Sequence, residues 1–303
     1  VIRVAAIQFS VGMSRTLAEH IDRVTSLADD AVARGASLVV FPEYLCADLL
    51  LPARLDPGTP DPRSTDGLFT RLDSYFLEFA TAMSALAIRH RVWLIAGTYA
   101  HTDSDGLIRN SAQVFGPLGE HLEQPKQHVA YELIHNRSSV VPGTRQLVIE
   151  MAGVEVAVLV CYDAQYPETA RAILGHPDVD LLVIPGCALE EWGRHRLRAA
   201  AAARAMETFA FAINAQLAGN LQIEGLIDYT FWAQSSILSP ICRPFPVDGV
   251  LADGEAGGES VLIADLDVKL LRASRPKAIP SPAGRFTQVN VARSSAGQGS
   301  TER

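Results

Sequence analysis

An apolar run over residues 154–160 delivers Cys161 into the segment Tyr162-Asp163-Ala164-Gln165-Tyr166-Pro167-Glu168. A short continuous apolar stretch bounded by turn residues fits a strand buried on both faces, and such strands need a sheet covered by other layers. Proline suits the first position of a helix, so Pro167-Glu168 opens one. The segment therefore reads as strand, sharp turn and helix. A turn of this kind holds a thiol at a strand end beside free backbone N–H groups, which suits a nucleophile. Taken alone, a cysteine at a strand end is more often a small buried hydrophobe, so the rest of the chain must decide.

The pattern recurs along the chain. Residues 2–9, 37–41, 92–99, 110–115, 147–151, 180–184, 209–216, 235–238 and 259–264 read as further strands, and 16–34, 68–90 and 194–208 as helices. A helix also follows Cys161 and runs to Gly175. Asp103-Ser104-Asp105-Gly106 and Ala152-Gly153 are hairpin turns, residues 52–67 form a loop, and residues 120–143 carry no period and read as irregular. Strand–helix alternation mixed with hairpins favours a two-sheet α/β sandwich over a simple doubly wound sheet. No composition break marks a boundary, so residues 1–293 are expected to form one domain, with a polar tail at 294–303.

Composition narrows the function. The 303 residues are 48% hydrophobic and 20% charged, as in globular enzymes, and carry a formal charge of −8 without a basic track, which argues against a nucleic-acid partner. No apolar stretch reaches the roughly 20 residues that span a bilayer, so no membrane role is expected. Residues 1–7 read as a strand, not a signal peptide, which leads to the expectation of a cytoplasmic enzyme with reduced thiols. The four cysteines, Cys46, Cys161, Cys187 and Cys242, form no CxxC pair. There is no HExxH, GxSxG or GxxxxGK[ST] signature, and no His–carboxylate spacing supports a metal site, so neither metal nor organic cofactor is expected.

Glu43 follows the strand at 37–41, Cys161 follows the strand at 154–160, and Lys126 lies beyond the strand at 110–115. Strand ends on one edge of an α/β sheet converge. Individually, Glu43 could cap a turn and Lys126 could be an ordinary surface lysine. Together, Val39-Val40-Phe41-Pro42-Glu43-Tyr44, a lysine in a loop and Cys161-Tyr162-Asp163-x-x-Tyr166-Pro167-Glu168 resemble the nitrilase superfamily of carbon–nitrogen hydrolases. Ala96-Gly97-Thr98 with Asn110-Ser111-Ala112 and Gly116-Pro117-x-Gly119 is similar to the family's central hairpin. Pro142-Gly143, the run Ala203 to Glu207, and Asn214 also fall where the family's pattern puts such residues.

The resemblance implies a four-layer αββα sandwich. It implies Cys161 as nucleophile, Glu43 as general base and Lys126 as the cation that meets the oxyanion, with the backbone N–H of Tyr162 as a second donor. Glu132 is the best match to the family's second active-site glutamate, although Gln124-Pro125-Lys126 lacks the basic residue often found before the lysine. Nitrilases proper usually follow the nucleophile with Trp or Gly and then Glu. Tyr162-Asp163 here points instead to a small amide or N-carbamoyl substrate. A nitrilase, an acyltransferase and a catalytically silent binding homologue are the alternatives. Family members pair helices near the nucleophile across a two-fold axis, and the alanines at 199–203 fit such an approach, so a homodimer or larger assembly is expected.

Other residues are weighed beside these. Cys187, after the strand at 180–184, either lines the pocket opposite Cys161 or is a small packing residue. Tyr44 and Trp192 are candidate pocket walls. Asp163 reads as a turn or capping residue, and Cys46 and Cys242 as structural. Arg137, Arg194 and Arg196 are candidates to bind a substrate carboxylate, and no sequence feature singles one out.

Overall fold

A computed structural model of the chain describes residues 1–51, 65–129, 140–173, 179–224 and 227–278. Its first elements are β1 (Ile2–Val11), α1 (Leu17–Ala33), β2 (Leu38–Val40), a 3₁₀ turn (Leu45–Leu50), α2 (Thr65–His90), β3 (Trp93–Thr102), β4 (Ile108–Phe115) and β5 (His121–Pro125). Then come β6 (Val148–Met151), β7 (Val154–Val158), a second 3₁₀ turn (Cys161–Gln165), α3 (Pro167–Ile173), β8 (Leu181–Cys187), α4 (Glu191–Thr208) and β9 (Phe211–Ile223). The last elements are β10 (Ile227–Phe231), β11 (Ser236–Leu238), β12 (Val250–Asp253), β13 (Ser260–Leu266), α5 (Val268–Ser274) and a closing 3₁₀ turn (Arg275–Lys277).

These strands form two facing sheets joined at one corner. The first runs β13-β1-β2-β3-β4-β5, with β1, β2 and β3 parallel and the outer strands antiparallel. The second runs β6-β7-β8-β9-β11-β12, with β7, β8 and β9 parallel, and β10 also pairs with β9. Phe9 to Val11 at the end of β1 pair with Leu217 to Gly219 of β9, which makes one curled sheet of the whole.

Strand alternation decides which layer each residue joins. Val4, Ala6, Leu38, Val40 and Ile95 enter the core shared with the second sheet. Their neighbours Ala5, Ile7, Val39, Leu94 and Ala96 point the other way, into the core under α1 and α2. Helix α1 presents Leu17, Val24, Ala28 and Ala31 to that core at helical spacing, and the hydroxyl of Thr16 caps it by accepting from Glu19 N at 3.1 Å. Ala170, Ile173, Leu197, Ala201 and Ala205 of α3 and α4 pack on the opposite side. The expected αββα layering is therefore present.

Three differences from the sequence reading stand out. The stretch at 120–143, read as irregular, begins with strand β5, which pairs with β4 from Ser111↔Pro125 to Phe115↔His121. Its alternation is obscured because Glu123 and Gln124 are polar on both faces, and Gln124 is buried through hydrogen bonds to Arg145 O and Leu147 N. Strands β10 and β12, of five and four residues, are short enough to read as loops, and α5 has only seven residues. The tail at 294–303, the loop at 52–64 and the end of the helix at Gly175 lie outside the described residues.

Gly97 is the glycine on which the site depends. Its φ is +60°, and a Cβ there would lie 2.0 Å from Pro42 O and 3.0 Å from Leu45 Cβ. Only a residue without a side chain lets β3 pass this close to the segment that carries Glu43. Gly97→Ala is expected to lower stability by about 2–4 kcal/mol, since left-handed strain and a backbone clash act together. Urea unfolding midpoints of the two proteins check this.

Candidate active site

Glu43, Lys126, Cys161 and Cys187 all come from strand ends on one edge of the sandwich. Glu43 follows β2, Lys126 follows β5, Cys161 follows β7, and Cys187 closes β8. For Glu43, Cys161 and Cys187 the address is set by where an apolar run stops; Lys126 follows the polar strand β5.

Glu43 is fully buried, and Lys126 is 2% exposed. Lys126 Nζ donates to Glu43 Oε1 at 2.8 Å, and Asn110 Nδ2 donates to the same oxygen at 3.0 Å. The thiol of Cys187 donates to the other oxygen, Oε2, at 3.3 Å. A buried carboxylate is tolerable only when paired and hydrogen-bonded on its lone pairs, and this one is. The structure thus brings together Glu43 and Lys126 as the sequence expects. It adds Asn110, a β4 residue that the sequence marks only as part of a hairpin.

The lysine is held from behind by backbone bonds. Lys126 N donates to Asn110 O at 2.9 Å, and Gly143 N donates to Lys126 O at 2.8 Å. A Cβ on Gly143 would meet Pro125 Cγ at 2.5 Å, so the Pro142-Gly143 turn fits closely over the lysine segment.

Cys161 sits at φ +49°, in the left-handed region that a non-glycine residue enters at a cost, and it is 8% exposed. Its thiol donates to the carbonyl of Cys187 at 3.4 Å. Tyr162 is half-buried and edge-on to Tyr166, with ring centroids 5.1 Å apart. Tyr166 in turn stacks on His128 at 4.2 Å.

Asp163 does more than cap its own turn. It accepts from Val160 N at 3.3 Å, from Gln127 N at 3.1 and 3.2 Å, and from His128 N at 2.7 Å and Nδ1 at 3.0 Å. It therefore ties the residues just after Lys126 to the turn that carries Cys161. Burial raises the Asp163 carboxyl above its usual range, and the bonds from His128 and Gln127 counteract only part of that. A sequence reader sees the local cap because Asp163 is near Val160; the partners from 127–128 are invisible without the fold.

Tyr44 is buried at φ +55°, and its N–H donates to Thr98 Oγ1 at 2.9 Å. Trp192 stands 75% exposed on the first turn of α4. Arg194 is buried and pairs with Glu191 at 2.9 Å, whereas Arg196 is exposed. Glu132 and Arg137 lie outside the described residues. Cys46 is buried, and desolvation pushes its thiol up to about 12, in keeping with a structural role. Cys242 is half-buried against the inter-sheet core.

One grouping runs against the sequence reading that no His–carboxylate set exists. His101, Asp103 and Glu123 bring one ligand-type atom each within 4.8 Å of one another. They come from β3, its turn and β5, so no linear spacing reveals them. Here they act as an ion-pair network: His101 Nε2 lies 3.0 Å from Glu123 Oε2, and Arg109 pairs with Asp103 at 2.7 Å and Asp105 at 2.9 Å. Burial alone would lower the His101 pKa, but the bond and charge of Glu123, helped by Asp103, outweigh it and hold it above the usual value.

The sequence profile of the family described as carbon–nitrogen hydrolase matches residues 3–276. The chain belongs to this family, and its fold is that of the nitrilase superfamily. A probable hydrolase of Bacillus subtilis is 26% identical over 276 residues, covering 90% of this chain and 51% of that relative, so the chain spans about half the relative's length. An omega-amidase of Xenopus tropicalis is 25% identical over 288 residues, which cover 90% of this chain and 91% of the relative. The crystal structure of Nit3 from Saccharomyces cerevisiae, a member of branch 10 of the nitrilase superfamily, matches with a TM-score of 0.71 at 20% identity, covering 94% of this chain and 97% of that one.

The raised His101 pKa makes a pH prediction. A histidine whose pKa is higher folded than unfolded contributes stability that is full below the unfolded value, about 6.5, and is lost as pH rises through the folded value. Unfolding free energy should therefore fall as pH rises above about 6.5, and His101→Gln should flatten that fall. Denaturant melts across pH 6 to 9 measure both.

Proposed function

We propose that the chain hydrolyses the C–N bond of a small amide or N-carbamoyl compound through a thioester on Cys161. The observation that carries this reading is the buried Lys126–Glu43 pair, 2.8 Å apart, at the strand edge that also carries Cys161. No metal or organic cofactor enters the reaction. The thiolate, not the thiol, is the nucleophile, so a base must take the proton of Cys161. Glu43 is that base: its Oε1 is fixed by Lys126 and Asn110, and its Oε2 exchanges the Cys187 thiol for the Cys161 proton.

Sγ of Cys161 attacks the carbonyl carbon, and Lys126 Nζ and Tyr162 N–H receive the oxyanion. Collapse expels the amine with a proton from Glu43. Water, deprotonated by the same carboxylate, then cleaves the thioester. Glu132, which lies outside the described residues, is kept as the second glutamate that the family resemblance implies. Cys187 lies beside Cys161, its carbonyl accepting from the thiol, and Tyr44 and Trp192 are kept as candidate pocket walls. The name of the omega-amidase relative supports the amide over the nitrile alternative, as does Tyr162-Asp163 after the nucleophile.

Ammonia release from a panel of ω-amides, aliphatic amides, N-carbamoyl amino acids and nitriles tests the proposal. Cys161→Ala should abolish turnover, and Lys126→Ala should lower kcat about 10²–10³-fold, the usual loss for one oxyanion donor. Turnover unchanged in Cys161→Ala would overturn it, and faster acid release from a nitrile than from its amide would favour the nitrilase alternative.

The chain is further proposed to act in the cytoplasm as a homodimer or larger assembly built on α4, where Ala199 is exposed and Ala200, Ala202 and Ala203 are half-buried beside the buried Ala201. Among the described residues no helix is long and apolar enough to cross a membrane. Light scattering should give a mass of at least twice 32.7 kDa, and Ala199→Arg should shift it toward the monomer.

A further inference from the structure

The mechanism above uses Cys161 and leaves Cys187 without a chemical role, although Cys187 is the residue that touches both the nucleophile and the base. Strands β7 and β8 are parallel neighbours, with Val158 paired to Val183 and Leu159 N donating to Val183 O at 2.9 Å. Both cysteines therefore leave the sheet side by side. The Cys161 thiol rests on the Cys187 carbonyl at 3.4 Å, and the Cys187 thiol rests on Glu43 Oε2 at 3.3 Å.

We propose that Cys161 and Cys187 form a reversible redox pair, in which a hydroperoxide oxidises Cys161 and Cys187 then closes a disulfide onto it. In the first step the Cys161 sulfur attacks one peroxide oxygen and the O–O bond breaks. Sulfur loses two electrons and becomes a sulfenic acid; the peroxide gains them and leaves as an alcohol, or as water from hydrogen peroxide. In the second step Cys187 gives its proton to Glu43 Oε2, and its sulfur attacks the Cys161 sulfur. The S–S bond forms, the S–O bond breaks, and the departing hydroxide takes up a proton to leave as water. Two thiols and one peroxide thus yield one disulfide, one alcohol and one water.

The surroundings order the two steps. The hydrogen bond with Cys161, burial and the nearby Glu43 charge all push the Cys187 thiol well above its ordinary value, so it stays protonated and does not meet peroxide first. Once Cys161 is oxidised, the carboxylate already in contact with Cys187 serves as its base. Cys46 is fully buried in the core under α1 and α2. The disulfide ties up the nucleophile and removes the thiol from Glu43, so it silences hydrolysis until a dithiol reduces it.

The pair rests on Cys161 being the reactive thiol, and its test does not read turnover. The full chain is treated with a small molar excess of hydrogen peroxide, alkylated without reduction, digested and mapped by mass spectrometry. The expected result is a linked Cys161–Cys187 peptide pair that dithiothreitol separates. In Cys187→Ser the same treatment should carry Cys161 on to sulfinic acid, and the thiol recovered by dithiothreitol should drop to about a tenth of the wild-type fraction or less. Sulfinic acid at Cys161 with free Cys187 in the wild-type chain, or a link to Cys46 or Cys242, would overturn the pair. Linked peptides in a chain that releases no ammonia would sink the hydrolase reading alone; ammonia release dependent on Cys161 without a linked peptide would sink the redox pair alone.

Discussion

The buried pair between Lys126 and Glu43 sets the terms for everything around it. Two charges removed from water are stable only if geometry is close and the spare lone pairs are filled. Asn110 and Cys187 fill them, and both must then be brought to the same point from β4 and β8. That demand is met by strands, whose ends are fixed by sheet registers on both sides. A pair held on loops alone would lose its alignment with each local opening. The cost of the burial explains why so much of the surrounding structure, from the Gly97 approach to the Pro142-Gly143 turn, serves two side chains.

Asp163 extends that logic from the base to the nucleophile. Its carboxylate accepts from the backbone on both sides, so the turn bearing Cys161 and the segment after Lys126 are tied together. The strained φ at Cys161 persists because this cross-tie and the flanking strands over-determine it. A local strain is thereby kept by distant bonds.

How much of this could be read from the chain depended on whether a signal was local. The strands at 37–41 and 154–160 announce themselves by apolar runs, and Glu43 and Cys161 stand at their ends, so both were legible. Lys126 was legible only through the resemblance, since strand β5 before it is polar and half exposed. Asn110 was missed because an asparagine at a strand looks like a hairpin residue until Glu43 is placed opposite it. The His101–Asp103–Glu123 network and the second set of Asp163 partners join residues from separate elements, and no periodicity encodes such meetings. The four-layer architecture was legible through the resemblance, and the structure builds it by strand alternation: Val4 and Ala5, or Val39 and Val40, differ by one residue and belong to different cores.

The corner where β1 meets β9 has a consequence for how such a protein changes over time. Gly12 and Gly219 lie so close to the opposing backbone that an added Cβ would sit 2.2 Å from Asn220 O and 2.5 Å from Val11 O respectively. The two sheets are riveted there by main chain, with no side chain to trim or enlarge. A descendant that must accept a bulkier molecule cannot spread its jaws. It has to remodel the rim instead, by lengthening or exchanging the segments between strands while the jaw angle is inherited unchanged.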